Sequence, residues 1–192
     1  MKQPPHGATF EKRKFKKVEF LKGVYERLEN DVGNYFLLLQ EKRQNDSSFP
    51  LVGFWGSIRL LMPVIETVAE VYSQLPQAFL DQHLNIKTPY LVWDLFRHSL
   101  IHNDLMQHGT YQNKTVTWSI LMCGQGHVMQ NKNIGIDVIS LYEDLKMFLK
   151  DEIAKNDQTE IGIDIGVIYQ TTNDPNPRKN IKQEIIDDFN KL

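Results

Sequence analysis

Apolar residues recur at spacings of three and four between Lys16 and Gln44, where Phe20, Val24, Leu28, Val32 and Tyr35 form one stripe. That period predicts a helix with one face on a core, and Gly33 is a point at which it divides or bends. The polar stretch Asn45–Pro50 ends it. Phe54–Gln74 is almost wholly apolar and predicts a second helix. Pro63 inside it removes a backbone donor and crowds the preceding turn, so a kink near Leu60 or a split is expected there. Pro76–Leu84 predicts a short helix. Thr88-Pro89 places a hydroxyl cap before a proline at the first helical position, opening a helix that runs to about Met106. The period then changes. Val116, Trp118, Ile120 and Met122 alternate with Thr115, Thr117, Ser119 and Leu121 across Lys114–Met122, as in a half-buried strand. Gly124-Gln125-Gly126 reads as a turn and His127–Gln130 as the returning strand. Ile136–Lys155 is helical again, with Ile139, Tyr142, Leu145, Phe148 and Leu149 on one stripe. Ile161–Tyr169 reads as a strand, Asp174-Pro175-Asn176-Pro177 as a turn and Asn180–Leu192 as a short amphipathic helix.

The expected architecture is mainly α: an up-and-down bundle of four or five helices with a small β-hairpin or β insertion around 114–130 and a strand at 161–169. Residues 1–15 read as a flexible basic tail and 16–192 as a single domain. The basic run Lys12–Lys17, with Phe15 inside it, reads either as the solvated first turn of the first helix or as a phosphate- or lipid-binding face.

The 192 residues are 41% hydrophobic and 24% charged, an ordinary globular balance. A single cysteine, Cys123, excludes an internal disulfide framework and any zinc site of several thiolates, and suits a reducing compartment. Met1–Phe20 lacks the apolar core of a secretory leader. The apolar runs Tyr35–Leu39 and Leu60–Val64 are too short to span a bilayer. A cytoplasmic protein with no membrane partner is expected. The formal net charge of -2 leaves no global field to draw nucleic acid. Residues 51–140 hold only 5 basic and 6 acidic side chains, which marks the middle as the buried part.

The densest chemistry lies in Leu91–Asp104. On an α-helical wheel, Asp94, Arg97, His98 and His102 share one polar edge with Ile101, while Leu91, Val92, Leu95, Phe96 and Leu100 fill much of the rest. Ionisable groups on a core helix are costly unless satisfied or used.

Arg97-His98-Ser99-Leu100-Ile101-His102 resembles the arginine–polar–three variable–histidine motif of HEPN domains, α-helical domains of which many are metal-independent endoribonucleases. His98 suits the residue after the arginine, and the lead-in Trp93–Phe96 and the following Asn103 suit the wider pattern. The resemblance implies that His102 is the acid/base and that Arg97 grips the phosphate and its transition state. His98, Asp94 and Asn103 would support them. It further implies a homodimer with a shared cleft, RNA as substrate, a cognate antitoxin such as a nucleotidyltransferase-like protein, and no cofactor.

Two other readings stand beside it. Arg97 pairs with Asp94 or Asp104 as a packing ion pair, in a non-catalytic nucleotide-, RNA- or protein-binding module. Alternatively Asp94, His98 and His102, at i, i+4 and i+8, hold a metal, with His108 or His127 completing the set. Cys123 and His127 flank the glycine turn, but an inert cysteine is the simpler reading. Gly124-Gln125-Gly126 and Ile161–Gly166 lack the rest of a phosphate-binding fingerprint. Asp187-Asp188 reads as a solvated helix face, and Trp55, Tyr72, Trp93 and Trp118 as core.

Overall fold

A computed structural model describes residues 8–46, 48, 53–99, 108–111, 114–122, 124–130 and 133–169. The chain divides into two compact units, one of Lys16–Thr159 and one joining Met1–Phe15 to Glu160–Leu192. The protein is mostly helical, with two small sheets.

The larger unit begins with a helical run in three parts: α1 (Lys17–Arg27), a wider π turn (Leu28–Gly33) and α2 (Asn34–Asn45). The cause lies in the apolar spacing. Val24, Leu28, Val32 and Phe36 are all buried and follow one another in steps of four. Three such steps outrun three turns of 3.6 residues by about one residue, and a π turn absorbs one extra residue without breaking the helix. The run therefore does not divide at Gly33. The buried stripe is Val18, Leu21, Val24, Leu28, Val32, Phe36 and Leu39, whereas Phe20 and Tyr35 are half-buried.

Helix α3 (Gly53–Val71) runs unbroken through Pro63. The proline sits on the exposed side, and the Thr67 hydroxyl donates to the Pro63 carbonyl at 2.9 Å. Ile58, Leu61, Met62, Ile65, Val68 and Ala69 form its buried face. Helix α4 (Pro76–His83) is the short helix expected there. Helix α5 (Pro89–Val92) starts at Thr88-Pro89, but the Thr88 side chain makes no capping hydrogen bond, and α5 passes at once into a second π turn, Trp93–Ser99. Residues 100–107 lie outside the described residues.

The four-stranded sheet has the order β2-β3-β5-β4, with β2 His108–Tyr111, β3 Lys114–Leu121, β4 Val128–Gln130 and β5 Asn133–Asp137. β2 and β3 form an antiparallel pair in which Tyr111 faces Lys114. The strand following the glycine turn does not return onto β3. β5 lies between them, parallel to β3 with Trp118 beside Ile134, and antiparallel to β4 with Val128 beside Gly135. The reason is burial: Ile134, Gly135, Ile136 and Asp137 are all buried, so this segment takes a central place, and a central strand reads as continuous rather than alternating apolarity. A Cβ on Gly135 would stand 2.9 Å from Leu121 Cδ1, so glycine permits this close pairing.

Helix α6 (Val138–Ala154) follows directly and packs on α1 and α3 through Leu141, Tyr142, Leu145 and Leu149. The smaller unit holds a two-stranded sheet of β1 (Ala8–Lys16) and β6 (Glu160–Tyr169). The basic run Lys12–Lys16 is thus a strand, not a tail or the first turn of a helix. The turn at 174–177 and the helix at 180–192 lie outside the described residues. Among the described residues, no helix is long and apolar enough to cross a membrane.

Candidate functional site

Val92, Trp93, Leu95 and Phe96 bury the segment that carries the arginine. Phe96 packs edge-on against Trp118 of β3, ring centroids 4.8 Å apart. Against that buried ground, Arg97 and Asp94 stay half-buried. Arg97 Nη2 lies 3.3 Å from Glu66 Oε2 on α3, the two side chains being 24% and 22% exposed. The buried Arg97 Nε makes no hydrogen bond among the described residues. The ion pair therefore joins Arg97 to Glu66, rather than to Asp94; Asp104 lies outside the described residues.

The π turn alters the expected geometry. A wheel at α pitch places Asp94, Arg97, His98 and His102 along one edge, but bonds from i to i+5 wind less tightly. Spacings of four within Trp93–Ser99 therefore no longer form a straight row, which also bends the line proposed for Asp94, His98 and His102 as metal ligands. Of His98 only the backbone is described, and His102 and Asn103 lie outside the described residues. Among the described residues no three His, Cys, Asp or Glu side chains gather as a metal site.

Sequence reasoning missed Glu66. Its one signal is position: it is the first acidic residue after Asp46, at the end of the apolar run of α3. A second polar assembly also escaped it. Glu29 on the first π turn accepts from the Tyr142 hydroxyl and from Lys146 Nζ, the latter at 2.9 Å. Burial alone would raise the Glu29 pKa, and the bonds from Tyr142 and Lys146 outweigh it and hold the carboxyl below its ordinary range. Burial and the Glu29 bond push the Tyr142 phenol up. This assembly borders a cavity of about 320 Å³ lined also by Asn34, Phe36, Gln40 and Glu143.

The glycine turn is real, and its role is structural. Gly124 and Gly126 have φ of 65° and 89°, a region that favours glycine. Their loop is clasped to the start of α6. Asp137 caps the helix by accepting from Ile139 N and Ser140 N, and also accepts from Gln125 N at 3.1 Å. Ser140 Oγ accepts from Gly126 N at 3.0 Å, and His127 Nδ1 accepts from Asp137 N at 3.1 Å. Burial lowers the His127 pKa, against the opposing charges of Asp144 and Asp137. An imidazole that accepts at Nδ1 carries its proton on Nε2. Cys123 lies outside the described residues.

Comparison with protein-family models, with curated proteins and with solved structures finds no match. The reading of the site therefore rests on its own residues.

Proposed function

We propose that the protein is a HEPN-like, RNA-directed protein acting in the cytoplasm, and that it is a metal-independent endoribonuclease. One observation carries the reading: Arg97 is kept at a surface-reachable edge of an otherwise buried segment, tethered by a single contact to Glu66. A guanidinium so placed retains donors that match two phosphate oxygens. A π turn at that position is a further pointer, because such turns recur at functional sites.

In this reading His102 takes the proton of an RNA 2′-hydroxyl, whose oxygen attacks the adjacent phosphorus. Arg97 holds the charge that builds on the phosphorus oxygens. The bond to the 5′-oxygen breaks and that oxygen takes up a proton, leaving a 2′,3′-cyclic phosphate and a 5′-hydroxyl. His98, Asp94 and Asn103 support the pair. A homodimer would set two such helices across one cleft, and a nucleotidyltransferase-like antitoxin is the partner the resemblance implies.

The test is RNA cleavage in excess EDTA by the wild type, Arg97→Ala and His102→Ala. Cleavage to cyclic-phosphate ends by the wild type, lost in both variants, is the expected result. Identical behaviour of all three overturns the assignment. The engagement of Arg97 by Glu66 favours a second reading, a binding module without turnover, in which the same substitutions weaken RNA or nucleotide binding and no product forms. Light scattering tests the dimer.

A further inference from the structure

The structure turns the basic run near the start of the chain into a different object. β1 carries four basic side chains, Lys12, Arg13, Lys14 and Lys16, against one acidic, Glu11, within nine residues. The remainder of the chain holds 18 basic and 23 acidic residues. A local excess of positive charge thus stands in an otherwise acidic protein.

Strand geometry orders that charge. Alternate residues share a face and stand about 6.7 Å apart. Lys12, Lys14 and Lys16 therefore form one row along β1, with Phe10 at its head, and Arg13 points to the other face. Lys12, Arg13, Lys14 and Lys16 are exposed and Phe10 is half-buried. Lys14 lies 3.5 Å from Glu160 of β6, but the lysine is 81% exposed, so solvent screens the pair and a phosphate can displace the carboxylate.

We propose that the exposed lysine row of β1 is a docking track for the phosphate backbone of single-stranded RNA, with Phe10 offering a stacking surface to one base. A row of ammonium groups headed by an aromatic ring is the combination that binds single strands without sequence preference. The row's step is comparable to that of an extended nucleic-acid backbone. An α-helical first turn would have scattered the same residues around a cylinder; the strand aligns them. The inference rests on the reading of the protein as RNA-directed, and extends it from cleavage to grip.

The experiment measures binding of the full-length protein to a fluorescent 2′-O-methyl RNA 15-mer, which has no free 2′-hydroxyl to attack, by anisotropy between 50 and 200 mM salt. Three phosphate contacts at about 0.7 each in the log–log salt slope predict that Lys12→Gln/Lys14→Gln/Lys16→Gln flattens the slope by about 2. Affinity at the lowest salt falls by at least about tenfold. The matching triple Lys→Arg variant retains both, which separates lost charge from lost folding. Absence of wild-type binding, or an unchanged slope in the glutamine variant, overturns the proposal. So does lysine-dependent binding to vesicles containing anionic phosphatidylglycerol with no binding to RNA. Self-association of the glutamine variant with RNA affinity intact also overturns it, since lysines on an edge strand then serve only to block pairing. If this binding pattern holds while unmodified RNA is not cleaved, the nuclease reading falls and the docking track stands.

Discussion

A Cβ on Gly33 would stand 2.6 Å from the Tyr142 hydroxyl and 3.5 Å from Cζ. The glycine is there to let the phenol pass to Glu29, not to bend the chain, since its φ of -60° is ordinary helix. Gly33→Ala would gain about 1 kcal/mol of helix propensity and lose a bond to a charged acceptor of about 1.5–3 kcal/mol. A net loss of about 1 kcal/mol is expected. In a Tyr142→Phe background the close atom is absent, and the same substitution should stabilise by about 0.5–1 kcal/mol. Urea unfolding of the four proteins checks this reversal of sign; destabilisation of equal size in both backgrounds would refute it.

Pro63→Ala should stabilise. The proline interrupts the hydrogen bonding of a continuous helix from its exposed side, and alanine restores the donor. An increase of about 1–3 kcal/mol in unfolding free energy is expected, measured in the same way.

His127 makes stability depend on pH. It is held neutral by burial and donates nothing from Nδ1, which instead accepts from Asp137 N; the charges facing it are Asp144 and Asp137. Its folded pKa lies below the unfolded value of about 6.5. The unfolded chain therefore takes up the proton first, and this contribution is whole above about pH 6.5 and shrinks as pH falls towards the folded pKa. The thermal midpoint should drop between pH 7.5 and 5.5 in the wild type and drop less in His127→Asn. Parallel curves would remove His127 as the cause.

Glu66→Gln should cost little stability, about 0.5–1 kcal/mol, because the Arg97 pair is partly solvated and has one close contact. Arg97→Ala should cost a similar amount, so that any loss of RNA cleavage in that variant reports on chemistry rather than folding. Thermal melts of both variants beside the wild type check this; a collapse of either would show a structural pair.

Periodicity made α3, α4, α6 and β3 legible because each is long or strongly patterned. β1 was hidden because its alternation is carried by charge and not by apolar residues: Lys12, Lys14 and Lys16 bury nothing that a hydrophobic pattern would register. β5 was hidden for the opposite reason. Its buried run reads on into α6, so Ile136 was assigned to the helix. The place of Arg97 on a polar edge of a buried segment was visible, but its partner was not, since Glu66 lies 31 residues earlier and local spacing says nothing about such contacts. The first π turn does leave a trace, in the steps of four through Val24, Leu28, Val32 and Phe36.

That wide turn sets a limit on how the helix tolerates change in length. Deleting one residue from Leu28–Gly33 would let the backbone wind tightly again, and everything from Asn34 onward would swing about 100° around the axis. Phe36 and Leu39 would leave the interior, and Leu37 and Leu38, now exposed, would be carried round with them. Helices usually forgive substitution more readily than loss of a residue; here the extra residue is what keeps the two halves of the rod in phase with a single core.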